Sequence, residues 1–239
     1  MKDRIISVDI FRGMTIVLMI LVNTPGTWSD VYAPLLHAEW HGYTPTDLVF
    51  PFFLFIVGTS IVFAYKNKTA TASTYKKITI RSLKLIGLGI FLGAFTISFP
   101  FIKEFGEIRF PGVLQRIGVV FFFASMLFLK LNWKQLIVVA VILLVGYWAL
   151  MVFVPVEGVT STLDRAPNNF ANYVDLNVFG THMWKPDYDP EGLLSTIPSI
   201  VSSLLGTFTG LILISSQKKK GILLFGIGGS LLLLSLIHI

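Results

Sequence analysis

Seven stretches of the chain are almost continuously apolar, and the polar residues gather between them. The runs cover residues 10–24, 47–65, 84–101, 112–129, 135–155, 193–214 and 221–239. A helix that crosses a hydrocarbon core about 30 Å thick needs about 20 such residues. Strands are shorter, and membrane β-barrels alternate apolar with polar positions rather than running on. The pattern predicts an all-α, polytopic transmembrane helix bundle with about seven spans. The first run is short, and Ile5 to Val8 extend it. No A-x-A-like cleavage site follows it, which argues against a removable signal peptide. Gly89 with Gly93, and Gly206 with Gly210, form small-xxx-small pairs that let helix backbones approach closely. The one long polar connection is 156–192. Residues 1–239 therefore read as a single transmembrane domain with one outer loop. The last run reaches Ile239 with no cap or charged anchor, so the domain is expected to be incomplete at its C-terminus.

Composition sharpens this reading. The chain is 54% hydrophobic and only 13% charged, against roughly 25% charged in a soluble domain. Its mean hydropathy is +0.76. There is no cysteine, which removes a disulfide framework, a Cys-ligated zinc and a Cys nucleophile. The net charge is +6, yet its distribution points away from nucleic acid. With the N-terminus in the cytoplasm, fourteen of the 19 basic residues fall inside, beside only Asp3 and Asp9. Lys103, Arg109, Arg116, Arg165 and Lys185 fall outside with the other acids. That asymmetry is topogenic, and anionic membrane lipid is the expected partner of the basic clusters.

Polar residues in or beside membrane spans are functional candidates. They fall in four places. Arg4…Asp9-x-x-Arg12 stands at the inner end of the first run. Asp9 and Arg12 share a helix face and can pair, either as an anchor or as a site for a cytosolic anion. Asn23 and the segment His37 to Pro51 stand at the outer side, with two histidines, Glu39 and Asp47 above an apolar helix that Thr46 or Asp47 can cap. A histidine there can act as base or nucleophile, or be a solvated loop residue. His37-x-x-x-His41 has helical spacing, but Gly42 and Pro45 argue against a helix, and no metal is expected. Gln115 and Arg116 lie inside the start of the fourth run. A buried arginine there needs a partner, a polar cavity or water within snorkelling reach. Asp189-Pro190-Glu191 reads as a helix start.

The block His37-Ala38-x-Trp40-x-Gly42-x-Thr44-x-x-Asp47-Leu48-Val49-Phe50-Pro51-x-Phe53-Leu54-Phe55-Ile56-x-Gly58 resembles the heparan-alpha-glucosaminide N-acetyltransferase family and its bacterial relatives. So do Ser7-x-Asp9-x-x-Arg12-Gly13, Val22-Asn23, Pro111 to Arg116, and Asp189 to Pro198. The resemblance implies a longer protein with more membrane helices. It implies an acyltransferase that takes acetyl groups from cytosolic acetyl-CoA and passes them to an amino sugar or other glycan acceptor across the membrane. The family's catalytic histidine and asparagine match His37 and Asn23. Asp47, or else Glu39, would orient the imidazole. Arg12, Gln115 and Arg116 are the expected acetyl-CoA contacts. The expected location is a bacterial inner membrane, with a homo-oligomer open and the fragment alone inactive. A small-anion or sugar transporter and a cell-envelope O-acyltransferase are the rival readings.

Overall fold

The computed structural model describes residues 5–97 and 99–215. The expected seventh span, 221–239, lies outside the described residues, as do Arg4 and Lys218 to Lys220. The described chain forms helices α1 (Ile6–Asn23), α2 (Val49–Tyr65), α3 (Ala72–Ala94), α4 (Val113–Lys130), α5 (Trp133–Phe153), α6 (Phe170–Phe179) and α7 (Thr196–Leu213). Two isolated bridges, Phe95 with Ile102 and Val156 with Val159, are the β pairing among the described residues. The polytopic all-helical architecture matches the apolar pattern. Five of the helices, α1, α2 with its leading turn, α4, α5 and α7, are long and apolar enough to cross a membrane.

Side chains set the helix ends. Thr71 accepts from Thr74 N at the start of α3, and Asn132 with Gln135 forms a capping box on α5. The third run is displaced from its expected place. α3 begins at Ala72, twelve residues before position 84, and stops at Ala94, and the chain turns back through the Phe95–Ile102 bridge. Lys76, Lys77 and Arg81 occupy its first half, which hid that half from an apolar scan. Long cationic stems lie along apolar surface while their heads reach water, and Arg81 sits 4.7 Å from the centre of the Phe121 ring.

Small residues and hydroxyls join the helices. α2 and α7 cross so closely that a Cβ on Gly58 would meet Ser203 O at 1.7 Å, and one on Gly206 would meet Phe55 O at 1.9 Å. Thr59 Oγ1 donates to Gly206 O at 3.0 Å, and Thr207 Oγ1 donates to Gly58 O at 3.4 Å. Between lipid-embedded helices such contacts supply much of the association that hydrophobic burial supplies in water. Of the other glycine pair, a Cβ on Gly89 would clash with Leu114 and Gln115 of α4, whereas one on Gly93 would stand 3.9 Å from Arg109 O, an ordinary contact.

Ile10, Met14, Val17 and Leu21 on α1, and Val138, Val141, Ile142 and Val145 on α5, are exposed. In water such faces are liabilities. Apolar faces of this kind suit helices that cross a membrane. Connections 24–48, 95–112 and 154–195 gather at one end of the bundle. Trp40 Nε1 donates to Leu163 O at 2.8 Å, and Phe110 N donates to His182 O at 3.0 Å.

Candidate functional site

His37 and Asp47 meet at that end. Residues 37–44 are not helical, so His37 and His41 do not share a helix face. Thr44 begins a short helical turn, Pro45–Leu48, and forms a capping box with Asp47, so the cap sits two residues before Thr46. Gly42 allows the preceding reversal with φ of +87°. The Asp47 carboxylate is fixed from three sides. Ala38 N donates to Oδ2 at 3.1 Å and Thr44 N donates to Oδ2 at 2.8 Å, while His37 Nδ1 lies 2.6 Å from Oδ1. An ionised carboxylate only accepts, so Nδ1 carries the proton and Nε2 of a neutral ring keeps its lone pair. The His37 side chain is 69% exposed. The dyad thus presents one open basic nitrogen from a ring whose tilt is set by Asp47. Glu39, the other candidate, is exposed. His41 instead binds Asp164, with Nε2 2.6 Å from Oδ1.

Asn23 closes α1 at the same end. Its Nδ2 donates to Met19 O at 2.9 Å, and no hydrogen bond joins it to His37 among the described residues. Beside it a cavity of about 330 Å³ is lined by Val22, Thr24, Pro25, Asp30, Tyr32 and Leu35 among others. Arg12 lies elsewhere. It donates from Nη2 to Asp9 Oδ1 at 2.9 Å, the expected pair, about 16 Å along the α1 axis from Asn23. Gln115 and Arg116 occupy the first turn of α4, at the His37 end. The three expected acetyl-CoA contacts therefore do not form one cluster.

Gln115 is wedged between helices: a Cβ on Gly89 would stand 2.3 Å from its Oε1. With Gly89, Gly93, Arg109 and Gly112 it lines a second cavity of about 200 Å³. Arg116 is 7% exposed. Its Nη2 donates to Gly192 O at 2.9 Å and to Ser195 Oγ, its Nη1 reaches Ser199 Oγ at 3.4 Å, and Phe50 covers it. Its Nε has no hydrogen-bond partner. Buried donors without a partner are uncommon in folded proteins.

Three parts of this end were missed in the sequence. Asp189 does not start α7, which begins at Thr196. It is a buried acceptor that takes Arg109 Nε at 2.8 Å and Trp184 N at 2.8 Å, while Arg109 also donates to Glu191. Burial opposes the Arg109 charge, but Asp189 and Glu191 outweigh it and hold the guanidinium above its ordinary value. The second is α6, inside the expected outer loop. Asn169 caps it, accepting from Ala171 N and Asn172 N, and Gly180 ends it with φ of +56°. The third is Asp175 on α6, 2% exposed, which accepts Leu193 N at 2.7 Å. Burial pushes its carboxyl up to about 6, with Asp189 adding to the rise and the Leu193 N–H and Arg116 opposing it.

An imidazole hydrogen-bonded to a carboxylate, at one end of a bundle with five helices long and apolar enough to cross a membrane, characterises a polytopic integral membrane protein. The profile of the family described as "heparan-alpha-glucosaminide N-acetyltransferase, catalytic" matches residues 4–225, and the chain belongs to that family. It is 31% identical over 270 residues to human heparan-alpha-glucosaminide N-acetyltransferase, covering 92% of this chain and 40% of that protein. It is 31% identical over 273 residues to the mouse protein of the same name, covering 92% of this chain and 41% of that one. The chain thus spans about two fifths of the length of these curated relatives.

Proposed function

We propose that the protein carrying this chain is a membrane acetyltransferase that moves an acetyl group from acetyl-CoA to an amino sugar or other glycan acceptor. The observation that carries the reading is the His37–Asp47 hydrogen bond in a chain of this family. His37 Nε2 either takes a proton from the attacking amine or attacks the thioester carbonyl itself. Base catalysis of this kind contributes about 10²–10⁴-fold. As a nucleophile, His37 would give an acetyl-imidazole and release CoA before the acceptor binds. Asn23, at the same end, is proposed to donate to the developing oxyanion, which requires its side chain to leave Met19 O.

CoA is polyanionic and stays in the cytosol. The proposed orientation places the N-terminus there, with Arg12 at the inner mouth for the phosphates. The pantetheine arm then runs between helices towards His37. Gln115 on the wall of the smaller cavity and the open Arg116 Nε are the proposed polar contacts near the thioester end. An envelope membrane with the acceptor on the non-cytoplasmic side fits this arrangement. The same dyad activates a hydroxyl as readily as an amine, so acceptor chemistry is the open choice within the reading.

The test is to incubate the complete purified gene product with radiolabelled acetyl-CoA and a panel of amine and hydroxyl sugars. Labelled amino sugar, lost in His37→Ala, is the expected result. Labelling unchanged in His37→Ala, or no transfer to any sugar, overturns it.

A further inference from the structure

Next to the His37 loop, three aromatic rings stand in a row. Trp40, three residues after His37, meets Tyr188 edge-on with centroids 5.3 Å apart, and Tyr188 meets Trp184 edge-on at 6.0 Å. Trp40 is anchored through Nε1 to Leu163 O. Arg165 Cζ lies 4.3 Å from the centre of the Tyr188 ring, and Lys185 Nζ lies 4.8 Å from that of Trp184. Arg165 donates to Asp187 through two bonds, at 2.6 and 2.8 Å. The row runs outward from the half-buried Trp40 to Trp184, which is 51% exposed.

We propose that this row is a second sugar-binding subsite, which holds the residues of an oligosaccharide next to the one presented to His37. The inference rests on the transferase reading above. Sugar rings offer apolar C–H faces rimmed by hydroxyls. An indole half open to solvent takes such a face, while neighbouring cations and carboxylates take the hydroxyls. The Trp184 surroundings have that mixture: Lys185, Pro186 and Asp187 are all exposed and polar or kinked, and the Arg165–Asp187 pair offers donors and acceptors together. A membrane-interface belt is the competing use of an exposed tryptophan beside cations, and the test below separates the two. The row also shares an anchor with the reacting centre. Trp40 and His41 tie the His37 loop to Leu163 and Asp164, two residues and one residue before Arg165. A ligand seated on Tyr188 and Trp184 therefore bears on the loop that carries His37.

The test compares a β-linked glucosamine tetramer with glucosamine itself as acceptors for the complete gene product. Trp184→Ala should raise KM for the tetramer by roughly three- to ten-fold more than KM for the monomer, with kcat little changed. Trp184→Phe, which keeps a ring face, should restore most of the difference. A separate readout needs no turnover: the tetramer should shift tryptophan emission in the wild type, and the shift should shrink in Trp184→Ala. Equal KM changes for both acceptors, or an emission shift that survives the substitution, overturn the subsite. So does a Trp184→Ala protein whose only defect is weaker retention in phosphatidylcholine vesicles, which assigns the ring to the membrane surface. Absence of transfer in the wild type defeats the transferase reading alone, because the emission titration still decides the subsite.

Discussion

Arg116 and Asp175 hold the two sides of one peptide group. Arg116 Nη2 donates to the carbonyl of Gly192 at 2.9 Å, and Asp175 Oδ1 accepts the N–H of Leu193 at 2.7 Å. Carbonyl and N–H belong to the same Gly192–Leu193 amide. A charge from α4 and a charge from α6 thus fix the lead-in to α7 from opposite directions. Because α4 also carries the Gln115 wall of the smaller cavity, the clamp ties the lead-in of α7 to that wall.

The clamp requires glycine at position 192. A Cβ there would stand 1.7 Å from Asp175 Oδ2, inside any tolerable contact. Gly192→Ala is expected to cost about 1–3 kcal/mol through forced displacement of the carboxylate, more if the Leu193 bond breaks. Thermal melting of the detergent-solubilised protein measures it. An unchanged melting temperature would show that the clamp is slack.

The buried Asp175 carboxyl makes stability depend on pH. Its folded value of about 6 lies above the ordinary value near 4. The folded state therefore binds more protons than the unfolded chain between these values. Stability contributed by this group is full at the acid end, falls as pH rises from about 4 to 6, and is level above. Asp175→Asn cannot titrate. The melting temperature of the wild type minus that of Asp175→Asn should fall across this window and stay flat from pH 7 to 8. A difference independent of pH would show that the carboxyl titrates at its ordinary value.

Asp47→Asn is expected to lower turnover by about 10²–10⁴-fold, in line with the loss of imidazole orientation in comparable dyads. An amide can offer Nδ2–H to His37 Nδ1, which would favour the tautomer with its proton on Nε2. KM for acetyl-CoA should change little, since Asp47 faces the loop backbone through Ala38 and Thr44. Steady-state kinetics against both substrates checks this. A pure KM effect would make Asp47 a structural cap only.

The spans were legible because lipid demands uninterrupted apolar length, and α1, α2, α4, α5 and α7 supply it. α3 was misplaced because Lys76, Lys77 and Arg81 interrupt the apolar pattern of its first half, although Ile78 and Ser82 there are buried. The Asp47–His37 pairing was legible as a choice between two acids ten and two residues away. The fold decides it by folding Pro45–Leu48 into a turn that returns Asp47 under the imidazole. The Arg109–Asp189 pair and the Arg116–Asp175 clamp were not legible. Each joins residues 59 or more positions apart, and Asp189-Pro190 carries the same signature as a helix start. Asn169 and Gly180, by contrast, bracket α6 as a cap and a stop that the polar character of the loop obscured.

The most direct test of acetyl transfer by His37 across a bilayer uses the complete gene product in sealed proteoliposomes. Radiolabelled acetyl-CoA is supplied on the side of Arg12 and glucosamine on the side of His37. The account predicts labelled N-acetylglucosamine on the glucosamine side, and none with His37→Ala. Transfer only when both substrates share one side, or full transfer by His37→Ala, would contradict it.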